Sequence, residues 1–292
     1  MEGFGAAVRI DGDYAMNADA IGGSGVAGGD AVGGLALLQA TAGSTVTVGG
    51  DAIVSSSARG GFTTPFGHGA GGDATGGDAR IQAGSGSALT ILGNAAISAD
   101  GEGGAAFANP AGTGDGGDGT GGTAHLFADG GTITIGSTGD GNRVSVTADG
   151  TGGDARGGTG GDGVGGGFAE VAAIGGDIII TGDVEVSASG TGGNGLNGGE
   201  GRGSGDTSAD DRALWTGGAH ILAQNGDVVI RGAASVQATG IGGAERHLAT
   251  LLPALEGAGI QQRPVLMVGG DGLRRVLGGD GHALAPAKTV LA

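Results

Sequence analysis

The sequence predicts an all-β fold, a β-solenoid of repeats of about 45 residues with glycine-rich insertion loops. Glycine supplies 77 of the 292 residues and aromatic residues only 3%, so the chain has too few bulky side chains for an ordinary enzyme core. The apolar residues are mostly Ala, Val, Ile and Leu, which suit thin, stacked β layers. Similar segments also recur at a nearly constant distance, as they do in repeat architectures.

Five segments align as repeat units, and each begins with a strand that contains an alanine. The units cover residues 33–58, 76–99, 121–148, 166–190 and 217–240. The aligned alanines are 43, 45, 45 and 50 residues apart, at Ala36, Ala79, Ala124, Ala169 and Ala219. Their small side chains allow this strand to approach its surroundings closely.

The second strand of each unit alternates apolar and other residues, the period-2 pattern of a strand that buries one face. Its apolar pairs are Val46/Val48, Leu89/Ile91, Ile133/Ile135, Ile178/Ile180 and Val228/Ile230. A third strand is predicted from Val144/Val146, Val184/Val186 and residues 235–238. Glycines and Gly-Asp pairs separate the strands, as turns require.

The three strands of a unit cover roughly 25 residues, which is expected to be about one turn of a solenoid. A single unit cannot bury its own apolar face, so we expect the units to stack, with aliphatic columns spaced by the roughly 4.8 Å between paired strands. The following stretch of about 20 glycine-rich residues is predicted to be an insertion loop. Disorder is the alternative, because glycine costs much entropy to fix in place.

The repeats are expected to occupy residues 1–244 and to start in mid-repeat. Val8 and Ile10 fall where Ile178 and Ile180 do in a later unit, so residues 7–25 match the second half of a repeat. An array without a capping element exposes strand edges. The chain is therefore expected to be a fragment of a longer array.

Residues 245–292 are predicted to be a non-repeat tail. They contain three of the five prolines and one more basic than acidic side chain, whereas the whole chain has a net charge of −17. Residues 246–260 have the composition of a short helix that Pro253 would break or kink. A solenoid cap, a linker and an out-of-register C-terminus all remain open for this tail.

A Gly-Gly-Asp motif recurs before the first strand of successive units, with intervals of 43, 45 and 44 residues between its aspartates: Asp30, Asp73, Asp118 and Asp162. A phosphate-binding loop would need Gly-Lys-Ser/Thr at the start of a helix. Here strands follow the motif, and none of its four copies contains a lysine. A calcium ladder is the better chemical match, because hard cations bind several carboxylate and carbonyl oxygens. Neighbouring carboxylates would repel by about 1 kcal/mol in water, which either a cation or splaying of the loops relieves. Splaying is the favoured interpretation, so no cofactor is expected unless calcium binds this column.

No catalytic residue is predicted. A glycosidase or lyase on a β-helical scaffold is the main alternative, and it would need paired acids beside basic or aromatic side chains. The only dense charged cluster, residues 210–212, is better explained as a solvated loop. The five histidines lack metal-ligand spacing, and the equivalent His125 and His220 are expected to point outward.

Two other ligand classes are disfavoured by specific positions. Residues 269–277 and 278–286 adjoin in the register of calcium-binding nonapeptides, but Arg274 and Ala283 replace the ligand aspartates. Ice binding would need an unbroken outward threonine column. The predicted column reads Thr47, Thr90, Thr134, Ile179 and Val229.

The charge of the chain excludes one class of partner. Its net charge is −17 and Lys288 is the only lysine, so nucleic acid is not expected as a partner, since phosphate-backbone binding needs basic side chains. No stretch has the roughly 18 apolar residues that cross a membrane, so membrane insertion by this segment is not expected. The N-terminus lacks a basic start and an apolar run, so if the protein is exported, its export signal is expected outside this chain.

The repeats resemble the β-strand repeats of large bacterial surface exoproteins, namely filamentous-haemagglutinin-like adhesins and autotransporter passengers. The resemblance covers about residues 1–244 and rests on the pattern GG.A…A.GG.ITI.G.V.VSA.G.GG. It implies a right-handed parallel β-helix, export to the cell surface or medium, and adhesion to a host or neighbouring-cell ligand or matrix. A structural or adhesive segment without catalysis is therefore predicted, with a β-helical carbohydrate-active enzyme and a calcium-stabilised repeat protein as alternatives.

Overall fold

The computed structural model describes residues 5–64, 68–107, 114–137, 141–203 and 218–239. All regular elements in these ranges are β-strands, and they form five sheets in which neighbouring strands come from successive repeats. Every strand pairing in the five sheets is parallel, so the predicted β-solenoid is confirmed. We number the sheets in the order in which a repeat enters them and call one full turn a coil.

Sheets 1, 2 and 3 contain the three strands predicted from the repeat. Sheet 1 consists of β5 (Leu35–Ala40), β10 (Asp78–Ala83), β15 (Thr123–Asp129), β20 (Phe168–Ile174) and β25 (Gly218–Gln224). Sheet 2 consists of β1 (Ala7–Ile10), β6 (Thr45–Val48), β11 (Ala88–Ile91), β16 (Thr132–Ile135), β21 (Asp177–Ile180) and β26 (Asp227–Ile230). Sheet 3 consists of β2 (Tyr14–Asn17), β7 (Ala52–Ser55), β12 (Ala95–Ser98), β17 (Arg143–Thr147), β22 (Asp183–Ser187) and β27 (Ala234–Gln237).

Sheets 4 and 5 are built from two-residue strands inside the glycine-rich stretch. Sheet 4 consists of β3 (Ala20–Ile21), β8 (Ala58–Arg59), β13 (Gly101–Glu102), β18 (Gly150–Thr151) and β23 (Gly190–Thr191). Sheet 5 consists of β4 (Ala31–Val32), β9 (Ala74–Thr75), β14 (Gly119–Thr120), β19 (Gly163–Val164) and β24 (Gly201–Arg202). One coil therefore takes a whole repeat, including the glycine-rich residues, and not only the 25 residues of the three longer strands.

The register of the predicted strands is confirmed. In sheet 1, Ala79 pairs with both Ala36 and Ala124. In sheet 2, Val8 pairs with Val46, which places the first described strand where the alignment put it. Sheets 1 to 3 enclose a continuous core, because their inward positions hold Ala, Val, Leu or Ile on every coil except the first, where Tyr14 and Met16 occupy the inward positions of sheet 3. The largest fully buried side chains in this core are Ile81, Leu89, Ile91, Ile97, Leu126, Ile133, Ile135, Ile178 and Ile180.

Sheets 4 and 5 form a second lobe, and almost no side chain larger than alanine lies in its interior. Its centre is a chain of backbone hydrogen bonds of 2.7–2.9 Å in which each glycine N–H donates to the carbonyl of a glycine in the opposite sheet's segment. We call these ten residues the glycine spine: Gly23, Gly29, Gly61, Gly72, Gly104, Gly117, Gly153, Gly161, Gly193 and Gly199. The two segments meet backbone to backbone, which explains the glycine content.

The close approach in this lobe leaves no room for a Cβ atom. A Cβ on Gly104 would lie 1.9 Å from the carbonyl oxygen of Gly61, and one on Gly161 would lie 1.9 Å from that of Gly117. Real Cβ atoms essentially never come so near to backbone. Residues 245–292 and the tail predictions made for them lie outside the described residues.

Candidate functional site

The four aspartates of the Gly-Gly-Asp motif lie in one column, each directly before a strand of sheet 5. The Oδ1 atom of each accepts the backbone N–H of the next member at 2.7–2.9 Å, from Asp30 to Asp73, Asp118 and Asp162. Asp162 continues the column by accepting the N–H of Glu200 at 2.8 Å. We call this column the aspartate ladder. It supplies acceptors to N–H groups that the two-residue strands do not pair.

The same arrangement occurs in other columns, where asparagine replaces aspartate. Asp51 accepts the N–H of Asn94 at 2.8 Å, and Asn94 in turn accepts the N–H of Arg143 through Oδ1 at 2.8 Å. Near the other end, Asp154 accepts the N–H of Asn194 at 2.7 Å. An amide oxygen therefore serves as well as a carboxylate oxygen in this position. What these columns use is an acceptor atom, with or without a negative charge.

Calcium binding by the aspartate ladder stays a prediction. Each Oδ1 already accepts one backbone N–H, so the Oδ2 atoms have more acceptor capacity left for a cation. Within the described residues no group of three or more His, Cys, Asp or Glu side chains has an arrangement that would hold a metal ion. The second glycine of each Gly-Gly-Asp motif belongs to the glycine spine, so backbone hydrogen bonds hold the residue directly before each aspartate in place.

A second polar column lies at the corner between sheets 3 and 4. Asp149 accepts the Ser187 hydroxyl and the Ser189 N–H, both at 2.6 Å, and donates its own N–H to Asp100 at 2.8 Å. Burial raises the pKa of the Asp149 carboxyl, and the negative charges of Asp100 and Glu185 act in the same direction. The two hydrogen bonds oppose this effect without cancelling it.

The outward face of sheet 1 carries a pair of histidines bridged by a carboxylate. Glu170 accepts from His125 through Oε1 at 2.6 Å and from His220 through Oε2 at 2.8 Å, and all three side chains are about 15–17% exposed. The ring of Phe168 lies beside both histidines, with centroid distances of 6.1 and 6.0 Å. The prediction that both histidines lie on the outward face agrees with this position, since neither reaches the aliphatic core.

The electrostatics of this trio favour an ionised carboxylate. Burial raises the pKa of Glu170, but hydrogen bonds and positive charge from His125 and His220 outweigh it and lower that pKa to about 2. The position of Glu170 was not predicted as a partner of the histidines. A signal was present, because each of the three residues follows the aligned alanine of its own unit, at Ala124, Ala169 and Ala219.

Several predicted features lie outside the described residues. They include the charged cluster 210–212 and the nonapeptide-like segments 269–277 and 278–286.

The predicted threonine column is in the expected register, with Thr90 paired to Thr47 and Thr134. Among the residues that the structure describes, no helix has the length and apolar character needed to cross a membrane.

Comparison with known proteins identifies no relative. No protein-family model matches the chain, and neither does any curated protein or solved structure. The confirmed description is therefore that of a parallel β-solenoid with an aliphatic lobe, a glycine lobe and hydrogen-bonded polar columns.

Proposed function

We propose that the chain is a non-enzymatic, rod-forming segment of a bacterial cell-surface or secreted exoprotein, with a structural or adhesive role. The observation that carries this proposal is that each repeat makes one coil and that the strands of successive coils pair in register in all five sheets. Such an array gains length in proportion to its number of repeats. With strands about 4.8 Å apart, the six strands of sheet 2 extend over roughly 24 Å.

The distribution of charge is consistent with a solvated rod. Carboxylates recur on the outside of successive coils, and the chain carries a net charge of −17. Like charge keeps neighbouring rods apart in solution and disfavours nucleic acid as a partner. A ligand on a host cell, a neighbouring cell or a matrix suits such a rod, and export would place it at the cell surface or outside the cell.

The chemistry of the polar columns supports a role without catalysis. The repeated aspartates accept backbone N–H groups along the stack, which is a structural use of a carboxylate. Glu170 is held ionised between two histidines, which does not suit a general acid at neutral pH. The recurring residues therefore stabilise the coil, and recognition would depend on particular surface positions.

The proposal is tested on intact cells of the source organism. Externally added protease and an antibody against this chain should reach it without lysis, and loss of the coding segment should reduce attachment to host or neighbouring cells. Protection from both reagents until lysis would contradict the surface role. Turnover of a polysaccharide by the purified chain, abolished by replacing one pair of acids, would favour the alternative of a β-helical carbohydrate-active enzyme.

Two deletions of different length test whether surface display needs regular stacking of the coils or one particular coil. Removing residues 124–168 joins Thr123 to Ala169 and takes out one whole coil, since Thr123 and Phe168 are paired in sheet 1. This variant should still fold and be displayed. Removing only residues 124–146 should abolish display, because the following strands would enter the wrong sheets.

A further inference from the structure

The glycine lobe carries a groove that the repeat pattern does not explain. It is a half-open depression of about 460 Å³ beside sheet 4, and this volume lies within the size range of small-molecule sites. The backbone of Gly60, Gly103 and Gly152, at matching positions of three successive coils, lines it without any side chain. The side chains beside this glycine surface are Arg59, Phe62, Glu102, Phe107, Thr151 and Asp154.

Two exposed aromatic side chains form one part of the groove. The rings of Phe62 and Phe107 meet edge to face, with centroids 6.0 Å apart and an interplanar angle of 71°. Phe62 is 50% exposed and Phe107 43%, although the whole chain has only six phenylalanines. The backbone N–H of Phe107 donates to Thr63 Oγ1 at 2.8 Å, which helps to fix its position. The two adjoining, half-exposed rings give the groove an apolar wall.

Polar groups follow the glycine surface at the spacing of the coils. Arg59 and Glu102 are paired in sheet 4 and form an ion pair of 3.1 Å, and Thr151 is the next residue of the same column. Asp154 lines the groove as well. Arg59 has five N–H donors, and the carboxylates have several acceptor positions, so unsatisfied capacity remains for a ligand. Three coils span about 10 Å, which is comparable to two linked hexose rings.

We propose that this groove binds a neutral saccharide of about two pyranose units. A pyranose presents an apolar C–H face and a rim of hydroxyl groups, which match the aromatic rings and the Arg59, Glu102 and Asp154 side chains. The ion pair neutralises itself and Asp154 leaves one negative charge on an acidic protein, so uronate-rich or sialylated glycans are repelled. The assignment rests on the proposed adhesive function and names the ligand class of such a rod.

The purified full chain is titrated with maltose, cellobiose and lactose, and binding is followed by NMR. At least one of them should give saturable shifts that Phe62→Ala weakens about tenfold, which is the size of a good aromatic contact. Glu102→Gln, which breaks the ion pair with little change in shape, should weaken binding as well. Val32→Ala is the control, because Val32 is 70% exposed on sheet 5 and does not line the groove. Circular dichroism verifies that each variant is folded.

The outcomes distinguish this assignment from the proposed function. No saturable binding of any of the three sugars by the folded chain overturns the groove, as does equal affinity of Phe62→Ala. Tighter binding of digalacturonate than of the neutral sugars also overturns it, because the charge argument then fails. None of these results bears on protease access to the chain on intact cells, so the surface role stands or falls by its own measurement.

Discussion

Asp73 accepts the backbone N–H of Asp118 through Oδ1 at 2.8 Å, across two coils that are 45 residues apart in sequence. The contact joins the same atom types at each step of the aspartate ladder. In this contact the carboxylate oxygen takes the place of a backbone carbonyl as the hydrogen-bond acceptor, although in the sequence the aspartate resembles a metal ligand. The charge of the carboxylate is incidental to that role, because Asn94 accepts an N–H in the same way.

Replacing Asp73 separates the acceptor from the charge. Asp73→Ala should lower the free energy of unfolding by about 1 kcal/mol, because the N–H of Asp118 loses its partner. Asp73→Asn should be neutral or slightly stabilising, since it keeps an acceptor and removes one of a row of like charges. Urea unfolding of both variants measures the difference. Equal losses in the two would mean that the charge itself matters.

Calcium provides a separate measurement on the same column. If the ladder binds calcium, millimolar calcium should raise the melting temperature of the natural chain, and the rise should disappear in the fourfold Asp→Asn variant at positions 30, 73, 118 and 162. Magnesium at the same concentration controls for ionic strength. An unchanged melting temperature, together with no heat of binding in calorimetry, removes calcium from the description of this protein.

The glycine spine should tolerate no side chain at its centre. Gly104→Ala places a Cβ 1.9 Å from the Gly61 carbonyl oxygen, so the two segments must separate and their hydrogen bonds lengthen. We expect a loss of at least about 3 kcal/mol of stability or failure to fold. Gly198→Ala, in the same lobe, is the control, because the nearest atom to its Cβ is 3.9 Å away. Comparable unfolding curves for the two variants would contradict this packing.

One buried hydroxyl is expected to cost stability. Ser56 is fully buried, and its Oγ has no hydrogen-bond partner among the described residues, whereas the next coils place Ala99 and Ala148 at this position. Ser56→Ala should therefore raise the free energy of unfolding by about 1 kcal/mol. Ser57→Ala should lower it, because Ser57 Oγ contacts Ser98 Oγ at 2.7 Å and accepts the N–H of Asp100. Thermal unfolding that ranks the two variants in the opposite order would refute the assignment.

The bridge between the histidines predicts a specific pH dependence. The pKa of Glu170 is lowered from 4.5 to about 2 in the fold, so its stabilisation is complete above pH 4.5 and is lost as the pH falls toward 2. Glu170→Gln should therefore be less stable than the natural chain above pH 4.5, by no more than about 3 kcal/mol, and equal to it near pH 2.

Urea unfolding between pH 2 and 6 measures that difference. Glu102→Gln is the control for Glu170, because its ion pair with Arg59 is more than half exposed and contributes little. A constant gap between the natural chain and Glu170→Gln across this range would show that the histidines do not hold the carboxylate ionised.

The strand register was predictable because buried and outward-facing side chains alternate along each strand, and this alternation is visible in the sequence. Val46, Leu89 and Ile133 are buried at the same point of successive coils, and their period-2 neighbours face outward. The approximate repeat length then follows from counting between equivalent residues. The spacing varies from 43 to 50 residues without loss of register in the described strands, since Ala219 still pairs with Ala169.

The structure of the glycine lobe was not predictable by the same means. Glycine has no side chain to alternate between faces, so residues such as Gly61 and Gly72 give no periodic signal even though they pair precisely in space. Phe62 and Phe107 were not recognised as neighbours either, because the short glycine-rich strands before them give no alternating pattern that fixes their register. The four aspartates of the repeated motif do lie in one column, but their hydrogen bonds to backbone N–H groups became visible only in three dimensions.

The hydrogen bonds of the glycine spine all run in one direction along the stack. In each of its nine links the N–H belongs to the later residue and the C=O to the earlier one, so all donors face the N-terminal end and all acceptors face the C-terminal end. The glycines next to the spine donate in the opposite sense, since Gly60 donates its N–H to Glu102 and Gly103 donates its N–H to Thr151, so the dipoles nearly cancel as in other β-sheets. Each glycine pair therefore holds the preceding coil through one residue and the following coil through its neighbour.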